Sequence, residues 1–323
     1  MTAIVYSCYG AAEVLRLENV EKPVATGDRV LVRVHAAAVN PLDWHYMRGT
    51  PYLMRFVSGF GKPDDPRLGT DFSGTVEAVG AGVERFKPGD EVFGAGSGAF
   101  ADYLVIREDR ALALKPSNLT FEQAASLPVA AITALQALRD KGEIESGQKV
   151  LINGASGGVG SFAVQIAKSL GAEVTGVCST RNVELVRALG ADHVIDYTRE
   201  DFTTVGRRYD LVIDNVGNHS LFKYRDVLEP DGIFVVVGGP DGRWIGPLVN
   251  SLVALLLSPF VDQSFRDLLA VLSQDDLMVL RTLAESGKLA PVIDRHYRLS
   301  GVADAIRYSE TGRARGKIIV NID

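Results

Sequence analysis

Two different patterns of apolar residues divide the chain near residue 122. Up to that point the apolar runs are short and separated by glycine and proline, a pattern typical of antiparallel strands joined by turns. We therefore predict that the first part of the chain is an antiparallel barrel or sandwich. The runs are RVLVRVHAAAV at 29–39, FSGTVEAVG at 72–80, DEVFGAG at 90–96, FADYLVI at 100–106 and RALAL at 110–114.

Beyond residue 122, apolar β-branched runs alternate with segments of helical length. Continuously apolar strands separated by helices indicate a parallel sheet covered on both faces. Short strands return near the end of the chain, as VIDRHYRL at 292–299 and KIIVNI at 317–322. The pattern predicts an α/β protein. Its parallel strands are KVLING, EVTGVCS, HVID, YDLVIDNV and GIFVVVGG, with helices near 158–170, 182–189 and 219–228.

The composition is that of a folded globular protein. The chain has 323 residues, of which 46% are apolar and 23% charged, and about 150 residues per domain predicts two domains. The 34 basic and 40 acidic residues give a formal net charge of −6. Since the chain also lacks a long basic block, its charge pattern argues against binding to nucleic acid.

Cysteine use and the N-terminal segment predict a cytoplasmic protein. The two cysteines, Cys8 and Cys178, are far apart in the sequence. Two cysteines are too few for a four-cysteine zinc lobe, and their separation argues against a disulfide framework and favours a reducing compartment. Residues 1–17 lack the basic segment and apolar core of a secretory signal peptide.

An uncharged segment of 18 residues, WIGPLVNSLVALLLSPFV at 244–261, raises the question of membrane contact. Its length touches the threshold for a spanning helix. Against spanning are Asn250 at its middle, Pro247 and Pro259 near its ends, and its place within an otherwise soluble pattern. We expect a helix buried in the core or in a homodimer interface, with peripheral membrane contact and spanning as alternatives.

A glycine-rich turn follows the strand KVLIN and leads directly into a helical sequence. Such a turn brings the backbone close to a pyrophosphate, whose charge meets the free N–H groups of the helix. In the G-x-G-x-x-G register that ends at Gly160, alanine replaces the first glycine. Within a βαβ repeat the motif predicts dinucleotide binding. The predicted binding residues are Ala155, Ser156, Gly157, Gly158, Val159 and Gly160.

The residues after the second parallel strand predict NADPH rather than NADH. An NAD site would place Asp or Glu there to hold the ribose 2′-hydroxyl. This chain instead has Ser179, Thr180 and Arg181, and the guanidinium of Arg181 can neutralise a 2′-phosphate. The alternative is that Arg181 is a solvated residue that opens the next helix.

The residue types point to an acceptor that is already electrophilic. Alcohol oxidation usually needs zinc or a tyrosine assisted by lysine to remove the hydroxyl proton. No tyrosine is followed four positions later by lysine, and the histidines at 35, 45, 193, 219 and 296 are not clustered at ligand spacing. By elimination we expect hydride transfer to a quinone or an α,β-unsaturated carbonyl compound, without a metal.

Several motifs together resemble one family. They are VHAAAVNPLDW at 34–44, LGTDFSGTVEAVGAGVERFKPGDEVFG at 68–94, LPVAAITALQAL at 127–138 and LGADHVIDY at 189–197. With the glycine-rich turn, they resemble the zinc-free quinone oxidoreductases of the medium-chain dehydrogenase/reductase superfamily, the branch that includes zeta-crystallin. In the zinc enzymes of that superfamily, cysteine and histidine stand where this chain has Asn40 and Thr70.

The resemblance implies a domain organisation. A GroES-like β-barrel domain is expected at 1–122 and a Rossmann domain with a doubly wound parallel sheet at 123–272. Residues 273–323 would return to the first domain, with the active site in the cleft between the two domains.

The resemblance also implies positions for the cofactor-binding residues. Asn40 and Thr133 would lie beside the nicotinamide. Ser179, Arg181 and Tyr197 would hold the adenosine 2′-phosphate, with Thr180 in the same turn. Strand-end turns along the cofactor would be formed by Asn215, Val216, Gly217, Gly238 and Gly239.

The proton donor stays open at this point. Some family members have a tyrosine where the alignment gives His45, and Tyr46 and Tyr52 are near it. Asp43 is expected to fix the loop by accepting backbone hydrogen bonds. The leading function is NADPH-dependent quinone reduction. Its alternatives are enone or alkenal reduction and a non-catalytic NADPH-binding role.

Overall fold

The computed structural model describes residues 1–238 and 263–322, and the chain divides into two compact units. The first unit comprises Met1–Ile132, Leu272–Gly287 and Pro291–Asp323, and the second comprises Thr133–Val271 and Lys288–Ala290. Gly239 and the segment 244–261 lie outside the described residues.

The strands of the described residues belong to two separate sets. Strands β8 to β13 lie in the second unit, and the others lie in the first. In chain order they are β1 (Thr2–Val5), β2 (Arg16–Asn19), β3 (Arg29–Val39), β4 (Asp71–Val79), β5 (Glu91–Ala95), β6 (Tyr103–Arg107), β7 (Leu112–Leu114), β8 (Lys149–Asn153), β9 (Glu173–Cys178), β10 (His193–Asp196), β11 (Tyr209–Asp214), β12 (Leu228–Val236), β13 (Ser264–Asp267), β14 (Ile293–Arg298) and β15 (Lys317–Asn321).

Helices occur in both units. They are α1 (Pro41–Arg48), α2 (Arg55–Ser58), α3 (Phe121–Ala125), α4 (Pro128–Gln136), α5 (Gly158–Ser169), α6 (Val183–Ala188), α7 (Leu221–Val227), α8 (Gln274–Glu285) and α9 (Val302–Glu310). Short 3₁₀ turns cover Ala12–Val14, Tyr52–Met54, Thr180–Asn182 and Leu299–Gly301, and a π turn covers Ala137–Lys141.

The main sheet of the first unit is built around β3. Its order over the described residues is β14-β15-β3-β4-β5-β7, with β6 also paired to β3. Alternation along β3 directs Val30, Val32 and Val34 into one apolar core together with Phe72. A register shift against β4 then follows Val34, and the alanines after it are small enough for the strand to be buried on both faces.

The second unit contains a parallel sheet. Among the described residues its order is β10-β9-β8-β11-β12-β13, and Leu151, Val177, Val212 and Phe234 form part of its core. The strand order reverses between β8 and β11. In open α/β sheets, ligands bind outside the carboxyl ends of the strands at such a reversal.

The predicted α/β class and the parallel sheet are confirmed. The first part of the chain also contains α1, which the strand pattern did not predict. This helix begins at Pro41, and the Asp43 carboxylate accepts a hydrogen bond from the Asn40 N–H at 2.7 Å, which confirms the backbone role expected for Asp43. Across residues 1–238 and 263–322, none of the helices is both long and apolar enough to cross a membrane.

Candidate functional site

Two glycines fix the shape of the turn between β8 and α5. Gly154 has a φ of +76°, a left-handed conformation that favours glycine, and a Cβ there would lie 2.8 Å from Val216 Cγ2. At Gly160 a Cβ would lie 2.1 Å from the carbonyl oxygen of Gly154. Ala155 is fully buried, and its N–H donates to the carbonyl of Val177 at 3.0 Å. The turn is therefore packed tightly against β9, and the Ala155 side chain is part of that packing.

Neither backbone conformation nor packing requires a glycine at position 157, the N-cap residue of α5. Its φ of −81° suits any residue, and a Cβ would meet the Gly154 carbonyl oxygen at an ordinary 3.5 Å. Space for at least a methyl group therefore lies beside Gly157 at the start of α5, and the N–H groups there receive no hydrogen bond from the side chain of the N-cap residue. A pyrophosphate fits this cradle. The residues around it are Ser156, Gly158 and Val159, all half-buried.

Asn153 and Asp214, at the carboxyl ends of β8 and β11, were missed by the sequence reasoning. Both are buried, and Asn153 Nδ2 donates to Asp214 Oδ1 at 2.9 Å. The same carboxylate oxygen accepts the N–H groups of Val216 and Gly217, each at 3.0 Å. Each of these two residues is the last of an apolar strand, a pattern that was visible in KVLIN and YDLVID.

Two predicted cofactor residues flank this pair. Asn215 Nδ2 donates to the Asn153 carbonyl at 2.8 Å, and its Oδ1 is buried without a hydrogen-bond partner among the described residues. Gly238 donates its N–H to the Asp214 carbonyl at 3.0 Å. An orphaned buried oxygen at this edge of the sheet fits a ligand that donates hydrogen bonds, as ribose hydroxyls do.

Asn182 links the glycine-rich turn to the end of β9, and the sequence reasoning did not single it out. It is 5% exposed, and its Nδ2 donates to Ser156 Oγ at 2.8 Å and to Ser179 Oγ at 3.3 Å. Within the part of the chain that the structure describes, Asn182 Oδ1 is also buried without a partner. Asn182 therefore holds two predicted cofactor residues in one place.

The hydroxyl of Thr180 belongs to an interaction with the neighbouring strand. It donates to Asp196 Oδ2 at 2.6 Å. Asp196 also accepts the N–H and the hydroxyl of Thr198, at 3.0 and 2.7 Å. These hydrogen bonds, led by that of Thr180, lower the pKa of Asp196. Its carboxylate is thus turned towards two threonines at the edge where the 2′-phosphate was predicted.

The remaining predicted cofactor residues are spread over two regions. Arg181 is exposed in the 3₁₀ turn after β9. Tyr197 is 55% exposed, and its N–H donates to the Cys178 carbonyl at 3.1 Å, which places it next to Ser179. Thr133 is half-buried in α4. Ser179, Arg181 and Tyr197 therefore share one edge of the parallel sheet.

A buried polar network lies in the first unit at Asn40. Asn40 Nδ2 donates to Asp71 Oδ2 at 2.9 Å, and Asn40 Oδ1 accepts from Lys317 Nζ at 2.5 Å. Lys317 also donates to Asp71 at 3.3 Å, and the N–H of Val129 donates to Asp71 at 2.9 Å. Asn40, Asp71 and Lys317 are at most 3% exposed. Both polar ends of the Asn40 side chain are thus engaged within this network.

Asp43 joins the network through the backbone of Asn40 and through Thr70. The Thr70 hydroxyl donates to Asp43 Oδ1 at 3.2 Å. Burial raises the pKa of Asp43 to about 7, and the Asp71 charge adds to this, while hydrogen bonds from Asn40 and Thr70 and the Lys317 charge oppose it. Asp43 therefore titrates near neutral pH.

A cavity of about 350 Å³ opens beside Asp43 in the first unit. Its wall mixes tyrosine and leucine side chains with hydroxyl and charged groups. It is lined by Tyr6, Leu42, Asp43, Tyr46, Ser58, Asp64, Asp65, Arg67, Leu68, Gly69, Thr70, Ala95, Gly96, Ser97 and Leu272. A concave site with an apolar body and a few convergent polar groups is suited to a small organic molecule.

Of the three candidate proton donors, Tyr46 lines this cavity. His45 and Tyr52 are not among the lining residues. His45 Nδ1 is 2.7 Å from the Thr50 carbonyl oxygen, and the ring of Tyr52 lies 4.7 Å from the guanidinium of Arg55. The structure thus brings Tyr46 together with Asp43 and Thr70.

Over the described residues, no group of three or more His, Cys, Asp or Glu side chains is arranged to hold a metal ion. The side chains at the two positions discussed for zinc are an amide, Asn40, and a hydroxyl, Thr70. The preferred zinc ligands in proteins are thiolate, imidazole and carboxylate. The Lys317 ammonium beside Asn40 would also repel a second cation.

Comparison with known proteins adds family information. The model described as "Alcohol dehydrogenase GroES-like domain" matches residues 26–116, and "Zinc-binding dehydrogenase" matches residues 189–320. A 2-methylene-furan-3-one reductase from Solanum lycopersicum is 35% identical, over 99% of this chain and 79% of the relative. An NADPH-dependent alkenal/one oxidoreductase from Arabidopsis thaliana is 36% identical over the same shares.

Solved structures of similar sequence have the same fold. The quinone oxidoreductase from Coxiella burnetii is 32% identical with a TM-score of 0.87, over 100% of this chain and 99% of that protein. A quinone oxidoreductase from Pseudomonas syringae is 30% identical with a TM-score of 0.84, over 99% of both chains.

Proposed function

The chain belongs to the quinone oxidoreductase branch of the medium-chain dehydrogenase/reductase superfamily, and on this premise we propose that it reduces quinones with NADPH and without zinc. It is an oxidoreductase that uses a nicotinamide cofactor. The proposal concerns three points: the identity of the acceptor, the choice of NADPH over NADH, and independence from zinc.

The observation that carries the proposal is the network around Asn40. A zinc enzyme that oxidises alcohols needs ligands that bind the metal tightly, and Asn40 and Thr70 do not supply them. Lys317 instead sets a positive charge beside Asn40. Such a site favours an acceptor that accepts a hydride without a Lewis acid, and a quinone is such an acceptor.

The second unit supplies the residues that would hold the cofactor. The first turn of α5 with Gly157 would bind the pyrophosphate, and Asn215 would accept a hydrogen bond from a ribose hydroxyl. Ser179 and Arg181 support NADPH, because a hydroxyl and a guanidinium suit a 2′-phosphate better than a ribose diol. The bound nicotinamide supplies the hydride.

Reduction of enones or alkenals is the second candidate. Hydride addition to the β-carbon of an enone leaves an enolate, which must then receive a proton. Tyr46 and Thr70, which both carry a hydroxyl group, line the cavity, and the alkenal/one oxidoreductase relative carries that activity in its name. The cavity thus also favours a substrate that needs a proton donor.

A homodimer and a cytoplasmic location stay predictions from the sequence. The segment 244–261, on which the dimer prediction depends, lies outside the described residues. Named relatives include chloroplast and mitochondrial proteins.

An acceptor panel tests the proposed function. NADPH absorbance would be followed with benzoquinones, naphthoquinones, enones and alkenals, and primary alcohols with NADP⁺ would serve as the matched reverse assay. We expect turnover of quinones and no alcohol oxidation. Alcohol oxidation that depends on added zinc, with no turnover of any quinone, would contradict the proposal.

A further inference from the structure

Three ionisable side chains are buried together around Asn40, and their charges would not balance if all three were ionised. Asp43, Asp71 and Lys317 are 1%, 0% and 3% exposed. The Lys317 ammonium contacts Asp71 at 3.3 Å, and Asp71 also accepts hydrogen bonds from the Asn40 amide and the Val129 N–H. Burial raises the pKa of Asp71 as well, but the Lys317 charge and the hydrogen bonds from Asn40 and Val129 oppose this rise, so Lys317 compensates Asp71. A second buried carboxylate without its own cation is strongly unfavourable, so Asp43 is the carboxyl that retains a proton.

The surroundings of Asp43 agree with this assignment. Burial and the negative charge of Asp71 on β4 favour the neutral form of Asp43, while the hydrogen bonds from Asn40 and Thr70 and the charge of Lys317 on β15 oppose it. Tyr6, which follows β1, is a further titratable group that interacts with Asp43, and burial raises its own pKa. Along the cavity wall the further charged groups are Asp64, Asp65 and Arg67, and Arg67 is paired with Asp65 at 2.9 Å.

Thr70 connects this carboxyl to the cavity. Its hydroxyl lies 3.2 Å from Asp43 Oδ1, and both residues belong to the cavity wall. Asp43 is almost wholly buried, whereas Thr70 is half-buried. The Thr70 hydroxyl donates to the ionised carboxylate. When Asp43 carries a proton, the same two oxygens can hydrogen-bond in the opposite direction, because a hydroxyl both donates and accepts, and Thr70 is then able to give up its own proton while it takes the one from Asp43.

We propose that Asp43 stores the proton that completes reduction and that Thr70 delivers it to the acceptor. This inference rests on the proposed reductase function. Thr70 is the catalytic residue, because it would touch the reacting atoms, and Asp43 acts through it. From the sequence alone, the choice of proton donor among His45, Tyr46 and Tyr52 stayed open. The pair formed by Asp43 and Thr70 was not among these candidates.

The atoms and electrons of the step balance. Two electrons and one hydrogen nucleus reach the acceptor as hydride, so the acceptor is reduced to an anion and the nicotinamide is oxidised. The Thr70 O–H bond breaks as the anion gains that proton at oxygen or carbon. The Asp43 O–H bond breaks in turn and restores the Thr70 hydroxyl. Asp43 is left as a carboxylate, which a proton from solvent water then neutralises.

The first experiment measures kcat against pH for the full chain with NADPH and an alkyl vinyl ketone. For the wild type, kcat should fall as pH rises through about 7, because Asp43 loses its proton there. Thr70→Val, which keeps the shape but removes the hydroxyl, should lower kcat about 10²-fold, the lower end of the usual general-acid contribution. It should also remove the alkaline fall. Asp43→Asn should have the same two effects, and Thr70→Ser should keep the wild-type pH profile.

NADPH affinity, measured by fluorescence titration, is the control for these variants and should stay at the wild-type value. A Thr70→Val protein with the wild-type rate and pH profile would overturn the relay while leaving the reductase function intact. A wild-type protein that reduces neither quinones nor enones would overturn both.

A second measurement does not depend on turnover. The carbonyl stretch of a protonated carboxyl group is visible by infrared spectroscopy. The wild-type minus Asp43→Asn difference spectrum should show this band at pH 5.5 and lose it by pH 8.5. If the band is missing at pH 5.5, Asp43 holds no proton and the relay is wrong.

Discussion

Replacing Asp43 with asparagine should change how the stability of the protein depends on pH. The pKa of Asp43 is raised by burial from 3.8 in the unfolded chain to about 7 in the folded protein. A carboxyl whose folded pKa is raised contributes stability that is fully present below pH 3.8 and is lost as pH rises through 7. The wild type should therefore lose stability over this window, and Asp43→Asn should lack this loss.

The magnitude follows from the linkage of protonation to folding. One pKa unit corresponds to about 1.4 kcal/mol, and integrating between pH 5 and pH 8 gives a relative loss of about 2.5 kcal/mol for the wild type. The asparagine oxygen can still accept the Asn40 N–H, so the start of α1 is preserved. As pH rises, the unfolding free energy of Asp43→Asn should therefore increase relative to that of the wild type.

Urea unfolding followed by circular dichroism at pH 5, 6, 7 and 8 measures this difference. The matched control is Asp65→Asn in the same cavity wall. Although burial raises the pKa of Asp65, hydrogen bonds from Arg67 and Ser97 hold it below its usual value. A carboxyl of this kind loses its stabilising contribution only in more acidic solution, so this control should show a constant offset from pH 5 to 8. Parallel curves for the wild type and Asp43→Asn would refute the reasoning about Asp43.

Three further outcomes are expected. Arg181→Ala should weaken NADPH binding by about 1.5 to 3 kcal/mol, or roughly 10- to 150-fold, and leave NADH affinity nearly unchanged in a fluorescence titration. Equal weakening of NADPH and NADH binding would show that Arg181 does not hold the 2′-phosphate. Gly157→Ala should fold normally and bind NADPH and NADH more weakly to the same extent. Gly160→Ala should instead destabilise the fold by about 1 to 3 kcal/mol through the clash with the Gly154 carbonyl. Normal nucleotide affinity in Gly157→Ala would contradict pyrophosphate binding at this turn. Activity should survive exhaustive chelation, with far less than one zinc per chain by elemental analysis, and stoichiometric tightly bound zinc would overturn the zinc-free assignment.

Local patterns predicted several of the strands and the glycine-rich turn between β8 and α5. RVLVRVHAAAV coincides with β3 at Arg29–Val39, because the alternation and the flanking turn residues are all contained in one short stretch. KVLIN ends at Asn153 as predicted. The glycine-rich turn was recognisable for the same reason, since both its backbone and its packing demands act over a few positions.

Long-range pairings were beyond what the sequence could predict. Asn40 and Lys317 are 277 positions apart, and no local pattern states that the first residue of β15 meets the N-cap of α1. The second limit on prediction was the direction in which each side chain of a helix points. His45 and Tyr46 are neighbours in α1, but Tyr46 faces the cavity and His45 reaches the Thr50 carbonyl. Choosing between them requires the direction of each side chain.

The register of β15 has a consequence for protein synthesis. Ile318 pairs with Val39 and Asn321 with Ala36, so β3 obtains β15 as a neighbour only after the residues of the second unit have been synthesised. Until then, β6 can pair with Arg29–Arg33 on that edge of β3, but Ala36–Val39 stay unpaired there and Asp71 lacks the Lys317 ammonium. Residues 133–271 and 288–290 are translated before Lys317, so the second unit can fold first. The second unit can therefore complete its fold before the main sheet of the first unit obtains β15.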